Sequence, residues 1–263
     1  MSLPATEHEV QTFGACDDVA FRRRCAAADR PARLVGAIEA WPARRWSDDA
    51  IAARLGDRAV SPVVLRAGRF EVDLDEGVRV QPMRLPEYLA HLAAPGAPPY
   101  YLRLPLDGDL RALAAEAPLT SYCAGAVAKR VSLWVGAAGT ASDVHFDMTH
   151  NLVAQLVGRR RVTLFAPDEA PRLYPHPVRS LNWHHSRVRL DAPDLARFPR
   201  FRDARRVTVA LEPGMVLFIP RGWWHHFESL ETSVAVNCFW VTPRHVPAMA
   251  LARAAWTLAA IRT

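Results

Sequence analysis

Two stretches of the chain hold side chains that could share a metal ion. His145-Phe146-Asp147 lies in an alternating, strand-like stretch, and residues two apart in a strand point to the same face, so an imidazole and a carboxylate converge there. The pair alone is weak. A chain with ten histidines and 27 acidic residues supplies about one H-x-[D/E] by chance, and His226-Phe227-Glu228 is a second instance. The block from Glu212-Pro213-Gly214 through Ile219-Pro220-Arg221-Gly222-Trp223-Trp224-His225-His226 raises the odds. It reads as turn, buried strand, turn and then histidine, which brings a second imidazole in from a strand distant in sequence. Two histidines and one carboxylate form a facial triad that leaves positions open on Fe(II), whereas zinc favours a closed tetrahedron and no thiolate is placed to help. Strand parity puts His225 and His226 on opposite faces and does not choose between them.

The elements that must position these residues are short strands separated by turns: 131–135, 143–147, 152–157, 161–165, 206–211, 215–219 and 233–240. Close spacing with Gly and Pro punctuation points to an antiparallel sandwich or barrel. A Pro-, Arg- and His-rich insertion, 166–205, interrupts them. Upstream, 17–30, 47–56 and 85–92 have helical spacing, the second opening on Ser47-Asp48-Asp49 as a helix N-terminus should. Between and after them, 32–36, 69–74 and 100–104 read as strands, and Pro95-Gly96-Ala97-Pro98-Pro99 breaks the chain. The expected organisation is an N-terminal helical and strand region, 1–95, a core of 96–243 and a C-terminal helix, 244–263. Met249, Ala252, Trp256 and Ala259 recur along that helix at spacings of three and four, a stripe that could cover the core or join two copies into a homodimer.

Composition narrows the function classes. Half of the residues are hydrophobic and 23% charged, which excludes wholesale disorder. No apolar run approaches the roughly 18 residues of a membrane span, and the first residues lack the basic and apolar regions of a secretory signal, so a cytoplasmic protein without membrane contact is expected. Cys16, Cys25, Cys123 and Cys238 are scattered and read as free thiols. The formal charge is +6 and Lys129 is the only lysine; the arginines are dispersed, so the charge does not argue for nucleic acid.

In ordered motifs the chain resembles the JmjC and cupin-like 2-oxoglutarate oxygenases, closest to the branch of factor inhibiting HIF and related protein hydroxylases. The resemblance covers most of the chain. It rests on Arg33-Leu34-Val35-Gly36 with Trp41-Pro42, Trp134-Val135-Gly136, His145-Phe146-Asp147, Gln155-Leu156-Val157-Gly158, Leu164-Phe165-Ala166-Pro167, Leu173-Tyr174-Pro175, Ala192-Pro193-Asp194, Arg197-Phe198-Pro199-Arg200-Phe201 and the Ile219–His226 block. It implies a mainly β fold with flanking helices, a double-stranded β-helix or jelly roll, that uses Fe(II) with 2-oxoglutarate and O2 as cosubstrates. The implied reaction is hydroxylation of a protein or peptide side chain with release of succinate and CO2. A small-molecule substrate, demethylation, or a metal-binding regulatory module without turnover are the alternatives.

Carried over by residue, the resemblance places the metal ligands on His145, Asp147 and His225. It places the cosubstrate contacts on Tyr101, Ser142, Asn151, Asn237, Trp134 and the basic residue two positions after Gly158, with Val153 and Phe227 as walls. The family's close relatives carry lysine at that anchor and this chain carries Arg160, whose rigid planar fork is not a conservative exchange. Plainer roles are expected elsewhere: His150 as a pocket or surface residue, His184 and His185 in a solvated loop rather than in contact with substrate, Trp223 and Trp224 in packing, and Arg103, which shares the strand face of Tyr101 and could reach substrate, on the sheet surface.

Overall fold

The computed structural model describes residues 10–15, 18–46, 48–65, 69–70, 79–94, 100–123, 125–178, 180 and 182–247. Its strands in chain order are β1 (Gln11–Gly14), β2 (Ala32–Val35), β3 (Ala59–Val60), β4 (Val63–Val64), β5 (Arg69–Phe70), β6 (Met83–Arg84), β7 (Tyr100–Pro105) and β8 (Ala128–Gly136). They continue with β9 (Ala141–Ser142), β10 (His145–Phe146), β11 (His150–Val157), β12 (Arg160–Phe165), β13 (Val207–Leu211), β14 (Val216–Ile219), β15 (Trp224–Ser229) and β16 (Ser233–Val241). The helices are α1 (Asp18–Arg24), α2 (Asp48–Leu55), α3 (Leu85–Ala93), α4 (Arg111–Glu116) and α5 (Ala170–Leu173).

Two sheets face one another. The larger runs β1-β2-β14-β11-β16-β8-β7-β4, and the smaller runs β13-β12-β15-β9-β5 with β10 also paired to β15. The order follows from what each strand can cover. β11, β14 and β16 read as nearly unbroken apolar runs because they are covered on both faces. Leu152, Ala154, Val216, Phe218, Val236 and Cys238 point outward into a core shared with Phe21, Ile38, Trp46 and Tyr88 of the N-terminal region. Val153, Leu217, Ile219 and Ala235 point inward and meet Val162, Leu164, Val209 and Leu211 of the smaller sheet. This is the mainly β jelly roll with flanking helices.

The N-terminal region does more than pack on the barrel, since β2 hydrogen-bonds along β14 with Leu34 opposite Val216. One segment without a sequence signal of its own carries α4 and short 3-10 turns, and it buries Leu110, Leu113, Leu119 and Tyr122 under the larger sheet. The helix expected over 246–261 lies outside the described residues from position 248 onward, as do positions 71–74 of the strand expected over 69–74. No helix among the described residues is long and apolar enough to cross a membrane.

Tyr88 ties α3 to the larger sheet. Its buried hydroxyl donates to the Val135 carbonyl at 2.6 Å and accepts the Leu102 amide at 3.2 Å. Tyr88→Phe keeps the packing and strips a partner from each of those backbone groups, so it should lower unfolding stability by about 2 kcal/mol. Chemical denaturation checks this; an unchanged midpoint and slope would show that the two backbone groups do not depend on the phenol.

Candidate metal and cosubstrate site

The metal-binding geometry begins with register. β10 and β15 pair antiparallel with His145 directly opposite His225, and their rings lie 4.3 Å apart between centroids. Asp147 follows the end of β10 in a turn, and its carbonyl accepts the Gly222 amide at 2.9 Å, which joins the two ligand-bearing turns. One donor atom from each of His145, Asp147 and His225 lies within 4.8 Å of the others; His225 Nε2 is 3.5 Å from an Asp147 carboxylate oxygen.

Both imidazoles are oriented in the same way. His145 Nδ1 faces the Asp143 carbonyl at 2.8 Å, and His225 Nδ1 faces the Trp223 carbonyl at 3.0 Å. A carbonyl can only accept, so each Nδ1 carries the proton and each Nε2 keeps its lone pair for a metal. Burial and then the neighbouring His145 push the His225 pKa well down, keeping the ring neutral. Burial pushes the Asp147 carboxyl up, opposed by His145, His184 and Arg103. A cation bound among these groups would relieve the desolvated carboxylate. His226 is buried on the other face of β15, opposite Thr163 of β12, and Glu228 on that face pairs with Arg161 at 2.8 Å.

The triad opens into a cavity of about 640 Å3 that is also lined by Tyr101, Trp134, Ser142, Asn151, Arg160 and Asn237, with Val153 and Phe227 as walls. Every residue expected to contact the cosubstrate therefore faces the same space as the triad. Arg160 is only 3% exposed. Its Nε donates to Ser233 Oγ at 2.6 Å, and the same oxygen accepts Gln155 Nε2 at 2.9 Å. Its Nη2 is buried without a hydrogen-bond partner, as is Asn151 Oδ1, and among the described residues no carboxylate pairs with it. A buried guanidinium with an unpaired donor, on a residue that lines the cavity, suits an anion.

The neighbours supply further donors. Trp134 Nε1 donates to Asn237 Oδ1 at 2.7 Å, leaving the Asn237 amide nitrogen as donor, and Ser142 Oγ accepts the Phe227 amide at 3.0 Å, freeing its hydroxyl proton. Two glycines make this wall possible. Gly158 adopts φ +69° in the turn between β11 and β12, where a Cβ would come within 2.0 Å of the Thr232 carbonyl oxygen. At Gly136 a Cβ would meet the Tyr101 ring at 2.5 Å, so the missing side chain is what allows that ring to lie across β8.

Two sequence expectations need correction, and Arg103, exposed on its sheet face as expected, also has a place at the site. His184 and His185 are not in a solvated loop: both line the cavity, His185 is buried, and its ring stacks on His145 at 5.2 Å. Burial, with His145 next, pushes His185 down to about 2 and His184 to about 4. The insertion has no periodicity from which a facing could be read; the only signal was the dense aromatic run Trp183-His184-His185. His150 is neither a pocket nor a surface residue. It projects to the outer side of β11, where it packs on Phe218, Trp240 and His245 and is held neutral by burial with a pKa near 4. Arg103 lines the cavity, over the Trp134 ring at 5.4 Å. Trp224 packs as expected, edge-on to Phe146 at 4.7 Å.

Fold and site together define a cupin-type barrel in which two histidines and one carboxylate that could hold a metal share a cavity with a buried arginine. The sequence pattern of the cupin-like domain matches residues 18–245, and the chain belongs to that family, whose JmjC members are dioxygenases that use Fe(II), 2-oxoglutarate and O2. Lysine-specific demethylase 8 of Xenopus tropicalis is 30% identical over 225 residues, 84% of this chain and 50% of the relative. Lysine-specific demethylase JMJ30 of Arabidopsis thaliana is 29% identical over 214 residues, 80% of this chain and 49% of the relative. HSPB1-associated protein 1 of Bos taurus is 44% identical over 109 residues, 40% of this chain and 22% of the relative. The chain thus spans about half the length of the first two and less of the third. The names of these relatives do not single out the narrower branch of factor inhibiting HIF.

Replacing any one of His145, Asp147 or His225 by alanine should weaken Co(II) or Fe(II) binding by more than about a hundred-fold and leave the circular dichroism spectrum unchanged, while His226→Ala should retain the metal. Metal titration decides it, and a metal-binding His225→Ala with a metal-free His226→Ala would reverse the assignment. Arg160→Ala should weaken 2-oxoglutarate binding about ten- to a hundred-fold with metal affinity intact. Gly136→Ala should weaken it too, through the displaced Tyr101 ring. Calorimetry under anaerobic conditions measures both, and unchanged affinity in Arg160→Ala would move the anchor to another cation.

Proposed function

We propose that the chain is an Fe(II)- and 2-oxoglutarate-dependent oxygenase that hydroxylates a protein or peptide side chain. The observation that carries this reading is the placement of a buried, acid-free guanidinium, Arg160, in the same cavity as the three candidate ligands His145, Asp147 and His225. An N2O donor set with open positions suits Fe(II), and Arg160 suits the distal carboxylate of a dicarboxylate. When bound, iron and 2-oxoglutarate supply oxidising power from O2, with succinate and CO2 as products and one oxygen atom inserted into a substrate C–H bond.

The chain's own residues bind and orient. His145 and His225 present Nε2 because their Nδ1–H groups are held by backbone carbonyls, and Asp147 contributes the charge. Arg160, Tyr101, Ser142, Asn151 and Asn237 hold the dicarboxylate, while Val153, Phe227 and Trp134 keep water from its methylene groups. The relatives named as lysine-specific demethylases favour a protein substrate, and removal of an N-methyl group is the same oxygen insertion followed by loss of the methyl carbon. A cytoplasmic location and a homodimer through 246–261 complete the proposal; light scattering on the full chain and on one ending at Pro243 checks the dimer.

Incubation with Fe(II), 2-oxoglutarate and O2 should yield succinate above the level of the Asp147→Ala variant, rising when a peptide mixture is added. Succinate that rises with small hydroxylatable metabolites and not with peptides would favour the small-molecule alternative. No succinate from a protein that binds both iron and 2-oxoglutarate would leave a metal-binding regulatory module.

A further inference from the structure

We infer that the cavity takes an acidic peptide, bound by a cationic wall formed by Arg103 and Arg130. The inference rests on the proposed oxygenase function and names its substrate class. Both residues line the cavity of the triad, on β7 and β8. Their positions follow from register: Arg103 lies opposite Trp134, and Arg130 opposite Phe239. Strand parity puts Tyr101, Arg103, Trp134 and Arg130 on the side of the sheet that faces the smaller sheet.

The charge arithmetic separates this wall from the metal centre. An iron(II) ion, the Asp147 carboxylate, a 2-oxoglutarate dianion and the Arg160 guanidinium neutralise one another. The remaining described residues that line the cavity include Arg103 and Arg130 on one wall and a single further carboxylate, Asp143, whose oxygen lies 3.9 Å from His185. Among the described residues no carboxylate forms an ion pair with Arg103 or Arg130, and Arg103 is held over Trp134. Lys129 precedes Arg130 on β8 and points to the other face of the sheet, where its Nζ donates to the Thr120 carbonyl at 3.4 Å. Arg103 also registers its like-charged neighbour: burial first and then Arg130 hold it below the ordinary guanidinium value, while Asp147 opposes them. Two like charges on a concave wall, with no ion-paired acid among the described residues, focus a positive potential where a substrate must enter.

Phe239, Val241 and Ala128 line the cavity beside the cations. An occupant that matches the wall therefore carries carboxylates spaced around an apolar residue. A cationic peptide, including one with methylated lysine, would meet like charge. Arg103 is close enough to influence Asp147, so it would fix a substrate carboxylate beside the metal and act as a specificity-determining residue.

The test uses the full chain loaded with Mn(II) and three fluorescein-labelled twelve-residue peptides that share an apolar centre and differ only in flanks of Asp and Glu, Ser and Gly, or Lys. Anisotropy should show the acidic peptide binding at least about ten-fold more tightly than the neutral one, with an affinity that falls as salt rises. The doubly substituted Arg103→Gln, Arg130→Gln protein should lose about ten-fold or more of that affinity with unchanged 2-oxoglutarate binding. Equal affinity for the three peptides, no peptide binding, full binding by the double variant, or tighter binding of a labelled single-stranded oligonucleotide would each overturn the inference. Titrations run with and without 2-oxoglutarate separate the two levels: loss of 2-oxoglutarate saturation counts against the oxygenase reading, whereas a charge-blind peptide profile counts against this wall alone.

Discussion

His145 and His225 face each other across one antiparallel register, and that pairing turns two side chains far apart in sequence into a chelate. The pairing sets the distance, and two backbone carbonyls set the direction by taking the Nδ1 protons. Desolvation raises the stakes. Burial raises the Asp147 carboxyl and lowers His225 inside the barrel, so a cation bound among the three ligands would relieve the desolvated carboxylate. Everything else at the site is arranged around this point, including the stacked His185 ring and the turn that links Asp147 to Gly222.

Arg160 shows the same logic with the sign reversed. Burying a guanidinium without an acid costs several kcal/mol, and Ser233 and Gln155 offset only part of that by fixing its Nε side. Arginine fits the position where the family resemblance implies lysine because Ser233 takes its Nε, while Nη2 keeps no hydrogen-bond partner of its own. A lysine would need no such partner, being a single point of charge on a flexible stem.

The larger sheet is rigid where the site needs it because both of its faces are covered. The N-terminal region closes the outer face with Phe21, Ile38, Trp46 and Tyr88, and the smaller sheet closes part of the inner one. Where the smaller sheet stops, the inner face carries polar and cationic residues, and the cavity begins there. His150, on the outer side of β11, and Asn151, on the inner side, mark this division within two consecutive residues.

The period of two in the strand segments, the turn residues between them and the H-x-D spacing were local patterns, so the jelly roll, the approximate strands and the candidate ligands could be read from the chain alone. Ordered motifs singled out the same cavity residues, Arg160 included. Sequence could not tell which of His225 and His226 faces the metal by parity, because parity relates neighbours and assigns no face; the register with His145 supplies the face. It also could not place His184 and His185, since an insertion without periodicity acquires direction only by packing against the barrel. Nor could it gather Arg103 and Arg130 onto one wall, because strands β7 and β8 become neighbours only through hydrogen bonds between segments that the chain itself separates. Local steric and hydrophobic periodicity is written residue by residue, whereas convergence of charge in one cavity depends on which strands pair, and only the folded sheet decides that.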